Sequence, residues 1–256
     1  MIPFAGGELE ARRWRAFENV TFLSVMESSN DLAKELIDMY FDEEESFPAT
    51  VLVAETQPGA RGRKGRWQAP GGRGLYFTFV RQARTGEPIS LMPIAVARWL
   101  REAIRDASGV SVRLKWPNDL YVGKRKIGGI LTEARTQGED TYIAVGVGLN
   151  VLGSPQSLGV AGATTLEEET GRAFALAPLL QAVLDRLDAE LAAPRWEVEV
   201  AAWEKASVHR RGDRMKVRHD GREIVGQYIG LTAEGFLKLE TGSGEAVLSH
   251  GEVAEW

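Results

Sequence analysis

The stretch Lys115-Trp116-Pro117-Asn118-Asp119-Leu120-Tyr121-Val122-Gly123-Lys124-Arg125-Lys126-Ile127-Gly128-Gly129-Ile130-Leu131-Thr132-Glu133 reads as strand, turn, strand, turn, strand. The turns are Pro117-Asn118-Asp119 and Gly123-Lys124-Arg125, both built from residues that bend a backbone cheaply. Connections this short can join only antiparallel neighbours. A further turn at Gln137-Gly138-Glu139-Asp140 leads into the apolar run Thr141 to Leu149, so residues 112–149 form a four-strand meander. Pro117 holds Trp116 extended and sets Asn118 and Asp119 on a rigid corner. Two consecutive glycines weaken a strand unless something must come close to its backbone. Lys126 and Gly128 are expected on one face, where a lysine beside bare backbone suits an anionic ligand; a bulge with an exposed lysine is the competing reading. Asp119 likewise is either a turn former or a carboxylate placed for a metal-bound phosphate or an incoming amine.

Upstream lies a local reversal of charge. From Glu55 to Glu87 the chain runs 31 residues without an acidic side chain, although its formal net charge is -5. The densest part, Gly59-Ala60-Arg61-Gly62-Arg63-Lys64-Gly65-Arg66-Trp67, interleaves guanidinium groups with glycines. A bendable backbone carrying fork-shaped donors suits a polyanion, whereas the plain alternative is a solvated basic loop. The loop hangs between two predicted strands, Thr50 to Ala54 and Leu75 to Val80. Earlier still, a strand at Phe22 to Val25 meets Ser28-Ser29-Asn30, which cap a helix with Leu32, Leu36 and Tyr40 as its apolar side; the serines can cap, bind a polar group, or both. Ser90 is expected to cap a helix with Pro93 in its first turn and Ala97, Leu100, Ile104 and Ala107 as its buried stripe, ending at Ser108-Gly109.

Downstream of the meander, Gly146-Val147-Gly148-Leu149-Asn150 lacks the third glycine and the following helix of a dinucleotide fingerprint, and no Walker A loop occurs. Residues 152–163 read as an irregular loop. Leu180, Val183, Leu184, Leu187 and Leu191 give a helical stripe ended by Pro194, and a second helix covers Val198 to Lys205. From Ser207 four short strands, near 215–218, 223–231, 236–240 and 245–249, predict a small all-β domain, so the chain divides at 1–206 and 207–256.

The composition, 44% apolar and 26% charged, belongs to a globular protein with a substantial core. No apolar run is long enough for a membrane span, and the first residues lack the pattern of a signal peptide, so a cytoplasmic location is expected. The absence of cysteine excludes thiol chemistry, and three histidines far apart in sequence, His209, His219 and His250, argue against a His/Cys metal site. One basic loop is too little for broad nucleic-acid binding.

Together these blocks resemble the catalytic and C-terminal domains of a biotin protein ligase. The similarity rests on Ser28-Ser29-Asn30, on Gln57 to Pro70, on Lys115 to Tyr121 with Lys126 to Glu133, and on Gly146 to Asn150. Trp203-Glu204-Lys205 and the β-rich tail extend it to the end of the chain. The resemblance implies an α+β fold. Its mixed, largely antiparallel sheet would be flanked by helices, as in class II aminoacyl-tRNA synthetases, and followed by a small SH3-like β-barrel. It further implies formation of biotinyl-5'-AMP from biotin and ATP with Mg²⁺, then transfer of biotin to a lysine of a carboxylase's biotin carrier domain. By the same resemblance Ser28, Ser29, Gln57, Arg61 and Lys126 touch biotin, with Gly128 and Gly129 letting it lie close to the strand. Arg63, Arg66, Lys115, Asn118 and Asn150 contact ATP or the adenylate. Lys126, Arg61 and Asp119 carry the chemistry, Asp119 as base, amine orienter or Mg²⁺ ligand. Similar proteins dimerise through a sheet edge. The 21 residues before Phe22 are too few for the helix-turn-helix repressor domain of some members, so no DNA binding is expected.

The chain departs from the family pattern in three places. Ala60 stands where the loop usually has glycine, one residue is missing between Arg66 and Trp67, and no aromatic occurs from Val151 to Ala173 to stack on adenine, which makes Trp67 the candidate. The rival readings are a lipoate or octanoate ligase of the same fold, which should lack the arginine loop and the Lys-Trp-Pro-Asn-Asp corner, and a binding module without turnover.

Overall fold

A computed structural model describes residues 9, 12–62, 65–67, 70–154 and 162–256, the side chain of Arg66 excepted. Seven strands form the main sheet: β1 (Asn19–Val25), β2 (Thr50–Thr56), β5 (Gly74–Gln82), β6 (Arg113–Lys115), β7 (Asp119–Val122), β8 (Arg125–Gln137) and β9 (Asp140–Asn150). Their order is β1-β2-β5-β9-β8-β7-β6, parallel only between β1 and β2 and antiparallel elsewhere. The predicted meander is therefore half of the sheet, and β5 lies against its last strand from Gly74↔Asn150 to Gln82↔Tyr142.

Alternation along the central strands separates two cores. Val51, Val53, Phe77, Phe79, Val145 and Val147 face a large core shared with α2 (Met92–Ser108), α4 (Leu176–Ala192) and α5 (Trp196–Ala206). Leu52, Ala54, Val80, Tyr142 and Ala144 face α1 (Ser29–Asp42) on the other side. Ala33 and Ile37, not the half-buried Leu32, Leu36 and Tyr40, are the fully buried apolar residues of α1. Ser90 does not cap α2 as expected; it sits in a 3-10 turn, Ile89–Leu91, that runs into the helix, and Pro93 occupies the first turn. Gly109, at φ 79°, ends α2 in the left-handed region that glycine adopts without penalty. On the helical side Arg98 is buried against the fully buried Glu199, so that α2 and α5 are joined by a paired charge. A short helix, α3 (Leu166–Thr170), capped by Thr165, precedes α4 and went unpredicted. Most of the predicted irregular loop, 155–161, lies outside the described residues.

The tail forms a five-stranded antiparallel sheet of β10 (Arg214–His219), β11 (Arg222–Leu231), β12 (Leu237–Thr241), β13 (Gly244–Leu248) and β14 (Glu252–Glu255), in the order β13-β12-β11-β10-β14. The fifth strand, β14, has too little apolar content to have been read from sequence. Met215, Val217, Leu237, Leu239 and Val253 of this sheet belong to the same continuous core as Trp99, Trp116 and Trp203. Trp116 Nε1 donates to the Gly235 carbonyl at 3.1 Å, Lys115 Nζ to the Val253 carbonyl at 2.9 Å, and Leu114 bridges to Ser207.

Candidate active site

On the α1 side of the main sheet the apolar cover stops short, leaving a cavity of about 660 Å³. Its floor is β5, β8 and β9, its walls are the start of α1, the corner at Pro117-Asn118-Asp119 and the tail, and its roof is the arginine loop. The Gly-Val-Gly-Leu-Asn block explains why the floor is low. Val147 and Leu149 point into the large core, while the intervening glycines clear the other face. A Cβ on Gly146 would lie 2.0 Å from Asn30 Oδ1, and one on Gly148 would lie 2.7 Å from the Trp67 indole.

The start of α1 is built by a buried polar network. Ser28 caps the helix by accepting from the Asp31 N–H at 3.3 Å, as its position before the helix predicts, and it also lines the cavity. Ser29 N–H donates to Gln57 Oε1 at 2.9 Å, and Thr78 Oγ1 lies 2.7 Å from Ser29 Oγ while donating to Asn30 Oδ1 at 2.6 Å. Asn30 Nδ2 in turn donates to Glu133 Oε2 at 2.9 Å. Burial would raise the Glu133 pKa, but bonds from Lys34 and Asn30 outweigh it and hold the carboxyl below its usual range.

The roof is a miniature hairpin, β3 (Arg61–Gly62) with β4 (Gly65–Arg66), tied down by Gly59 N–H to the Glu27 carbonyl at 2.9 Å and by Trp67 N–H to the Ala60 carbonyl at 2.8 Å. Arg61 reaches back to pair with Asp31 in the first turn of α1. Arg63, Lys64 and the side chain of Arg66 lie outside the described residues, so the register of the loop against the family pattern rests on Arg61 and Trp67. Of the other cations in the basic window, Arg81 is closed off by Glu87, and Arg84 donates to the Leu191 carbonyl at 3.3 Å.

Lys126 lies opposite this roof. Its Nζ is 2.6 Å from Asp119 Oδ1 and lies 5.1 Å from the centroid of the Trp67 ring. The pairing of β7 with β8 slips at this point, Tyr121 facing Lys126 but Leu120 facing Gly128, so Ile127 is an extra residue. The bulge overturns one expectation: Lys126 shares its face with Gly129, not Gly128. A Cβ on Gly129 would meet the Lys126 ammonium and Asp119 at an ordinary 3.4 Å. At Gly128 it would lie 2.8 Å from the Gly148 carbonyl. Gly128 is thus bare because β9 passes close, not because a ligand does, and it does not line the cavity.

The corner residues are more committed than their spacing suggests. Asn118 spans to β8, its side chain donating to the Ile130 carbonyl while its own carbonyl accepts from Ile130 N–H at 3.0 Å. Lys115 lines the cavity, yet its ammonium is directed at β14 and sits over the rings of Tyr121 and Trp256. Asn150 is placed apart from the cavity lining: it is buried and donates to the Thr164 carbonyl at 3.1 Å, tying Thr164 to the end of β9. Two buried atoms on the cavity wall, Trp67 Nε1 and Tyr76 Oη, have no hydrogen-bond partner among the described residues. Unpaired polar atoms facing a cavity are what a bound ligand satisfies.

Residues 24–150, which contain all of these elements except the tail, match the model of the Biotin/lipoate A/B protein ligase family. The biotin–[acetyl-CoA-carboxylase] ligase of Paracoccus denitrificans is 30% identical over 213 residues, 79% of this chain and 88% of that protein. The chain belongs to the biotin protein ligase family. The bifunctional ligase/repressor BirA of Escherichia coli is 29% identical over 235 residues, 87% of this chain and 69% of that protein. The biotin protein ligase of Aquifex aeolicus, solved in complex with biotin and ATP, superposes with a TM-score of 0.75 at 27% identity, over 93% of this chain and 98% of that one. The α+β architecture expected from the resemblance is the one observed.

Several residues at or behind the cavity were not foreseen. Tyr76, in the lining, and Thr78, buried behind Ser29 and Asn30, read only as strand residues, and Asn30 only as a cap. Arg218, His250, Gly251 and Glu252 bring the tail to the cavity rim, through a contact between segments a hundred residues apart that no local pattern announces. The described residues include no helix long and apolar enough to cross a membrane.

Proposed function

We propose that this chain is an ATP-dependent biotin protein ligase that joins biotin to ATP as biotinyl-5'-AMP and then passes biotin to a lysine of a carboxylase's biotin carrier domain. The observation that carries the reading is the Lys126 ammonium, held at the floor of the same cavity that the arginine hairpin roofs. Uniting a carboxylate with the α-phosphate brings two anions together, a repulsion on the order of 4 kcal/mol at 4 Å and an effective dielectric near 20. Cations on both sides offset it. Lys126 steadies the biotin carboxylate as one of its oxygens attacks the α-phosphorus and pyrophosphate departs with the electrons of the broken P–O bond. Arg61 orients the triphosphate from above, and the family resemblance gives Arg63 and Arg66 a share in that contact.

Asp119 and Glu252 are the carboxylates that line the cavity, and oxygen donors of this kind suit the magnesium that accompanies ATP. Magnesium would there neutralise phosphate charge. In the second half-reaction the acceptor amine must lose a proton to attack the mixed anhydride, with AMP leaving. In this reading Asp119, paired to Lys126, takes that proton or orients the amine.

Isotope exchange between ATP and pyrophosphate tests the proposal. Exchange that needs biotin, and that lipoate or octanoate does not support, is the expected result. Exchange supported by lipoate instead would make this a lipoate ligase, and binding of biotin without exchange would make it a carrier or sensor.

A further inference from the structure

The two histidines expected to lie far apart, His219 and His250, are brought together by the tail sheet. Their ring centroids are 4.3 Å apart, with Asp220 between them at the β10–β11 turn. His250 Nε2 lies 2.8 Å from Asp220 Oδ1, and His219 Nε2 lies 3.4 Å from Asp220 Oδ2. The three donor atoms fall within 4.8 Å of one another.

Both rings have their other nitrogen committed. His219 Nδ1 is 2.8 Å from the His250 carbonyl, which can only accept, and His250 Nδ1 is 3.1 Å from Ser249 Oγ. In the neutral His219 ring this bond puts the proton on Nδ1 and the lone pair on Nε2, facing a carboxylate that also offers only lone pairs. Electron pairs opposed in that way are reconciled by a second proton on the ring or by a metal ion between them. An Nδ1–H held by a backbone carbonyl, with Nε2 left to donate, is also the arrangement that orients metal-binding histidines.

We infer that His219, Asp220 and His250 form a three-ligand site for a divalent metal of the zinc class, with a fourth position open to water. Two imidazoles and one carboxylate match zinc and cobalt(II) and disfavour magnesium or calcium, which take oxygen ligands. Tetrahedral bonds of about 2.0–2.1 Å place ligand atoms roughly 3.3 Å apart. The observed spacing needs shifts on the order of 1 Å, in side chains of which Asp220 and His250 are mostly exposed. Bound metal would clasp the β10–β11 turn to the segment 249–251, and so fix the rim at His250, Gly251 and Glu252. The site is separate from the Lys126–Asp119 pair, and its existence does not depend on the ligase reading.

The test is direct binding to the whole chain, free of any histidine tag and stripped with chelator. Zinc titrated calorimetrically should bind one ion per chain, and cobalt(II) should develop visible absorption bands of a four-coordinate site. His219→Ala, His250→Ala and Asp220→Asn should each weaken zinc at least about tenfold, since losing a ligand costs no less than losing the partner that orients one. A hundredfold excess of magnesium, roughly, should leave the cobalt spectrum unchanged. Absence of stoichiometric zinc binding, or binding that all three variants retain, overturns the inference. Biotin-dependent exchange, measured on the same samples, reports separately on the ligase reading.

Discussion

Lys126 and the two glycines after it make the sharpest residue-level contrast. Lys126→Ala should lower biotin-dependent pyrophosphate exchange by about a hundred- to a thousandfold, the usual loss when a group that stabilises developing charge is removed. Its thermal midpoint should stay near that of the parent, because the side chain is part-exposed and buries little. Gly128→Ala should do the reverse. The added methyl group meets a backbone carbonyl at 2.8 Å that cannot move without parting β8 from β9, at a cost of about 1–3 kcal/mol in urea denaturation. Gly129→Ala should leave stability nearly unchanged but crowd the ammonium, and so raise the KM for biotin. From sequence the paired glycines announce only a close approach. That two different neighbours make it, one backbone and one side chain, follows from a bulge at Ile127, which the sequence offered only as the competing reading of this stretch.

Among the elements, the β3–β4 hairpin roofs the cavity. It is two residues on each side, held at its base both by main-chain bonds and by Arg61 paired with Asp31, and Arg61 is about half exposed at 48%. Such a surface pair contributes little to stability. Arg61→Ala should therefore leave the fold intact but let adenylate escape, seen as faster release of biotinyl-AMP into solution; slower release would contradict a lid. The strands of the meander were legible because turn residues separate apolar runs, and β5 because it is aromatic-rich and follows a glycine cluster. The start of α2 was not. Proline at its first turn was correctly placed, but the preceding 3-10 turn supplies the N-terminal bonds that a serine cap would otherwise make. Sequence does not show that Thr164 and Val253 come to meet Asn150 and Lys115, the two residues to which the resemblance gave ATP contacts.

At the scale of the whole molecule, the tail and the main sheet share a core, and His209 sits where they meet. It is buried beside Tyr228 and Trp256, neither ring nitrogen has a partner among the described residues, and burial, with the nearby Lys115 charge outweighing Asp213, pushes it from 6.5 down to about 4. The unfolded chain then binds more protons than the folded one between those two values. The stability this group confers is complete above pH 6.5 and is lost as pH falls toward 4, by about 3 kcal/mol in all. Urea midpoints measured across that window should show the slope, and His209→Phe should flatten it. The division at residue 206 was drawn on the change to short strands and turns from Ser207, and that local pattern does not reveal that Trp116 hydrogen-bonds across it.

That bond, with the four tail residues at the cavity rim, makes the last fifty residues part of the wall of the cavity. Swapping them for an unrelated β module would take away one side of it. Engineering of substrate scope in this chain should accordingly begin at Arg218 and Glu252 as readily as at the strands beneath.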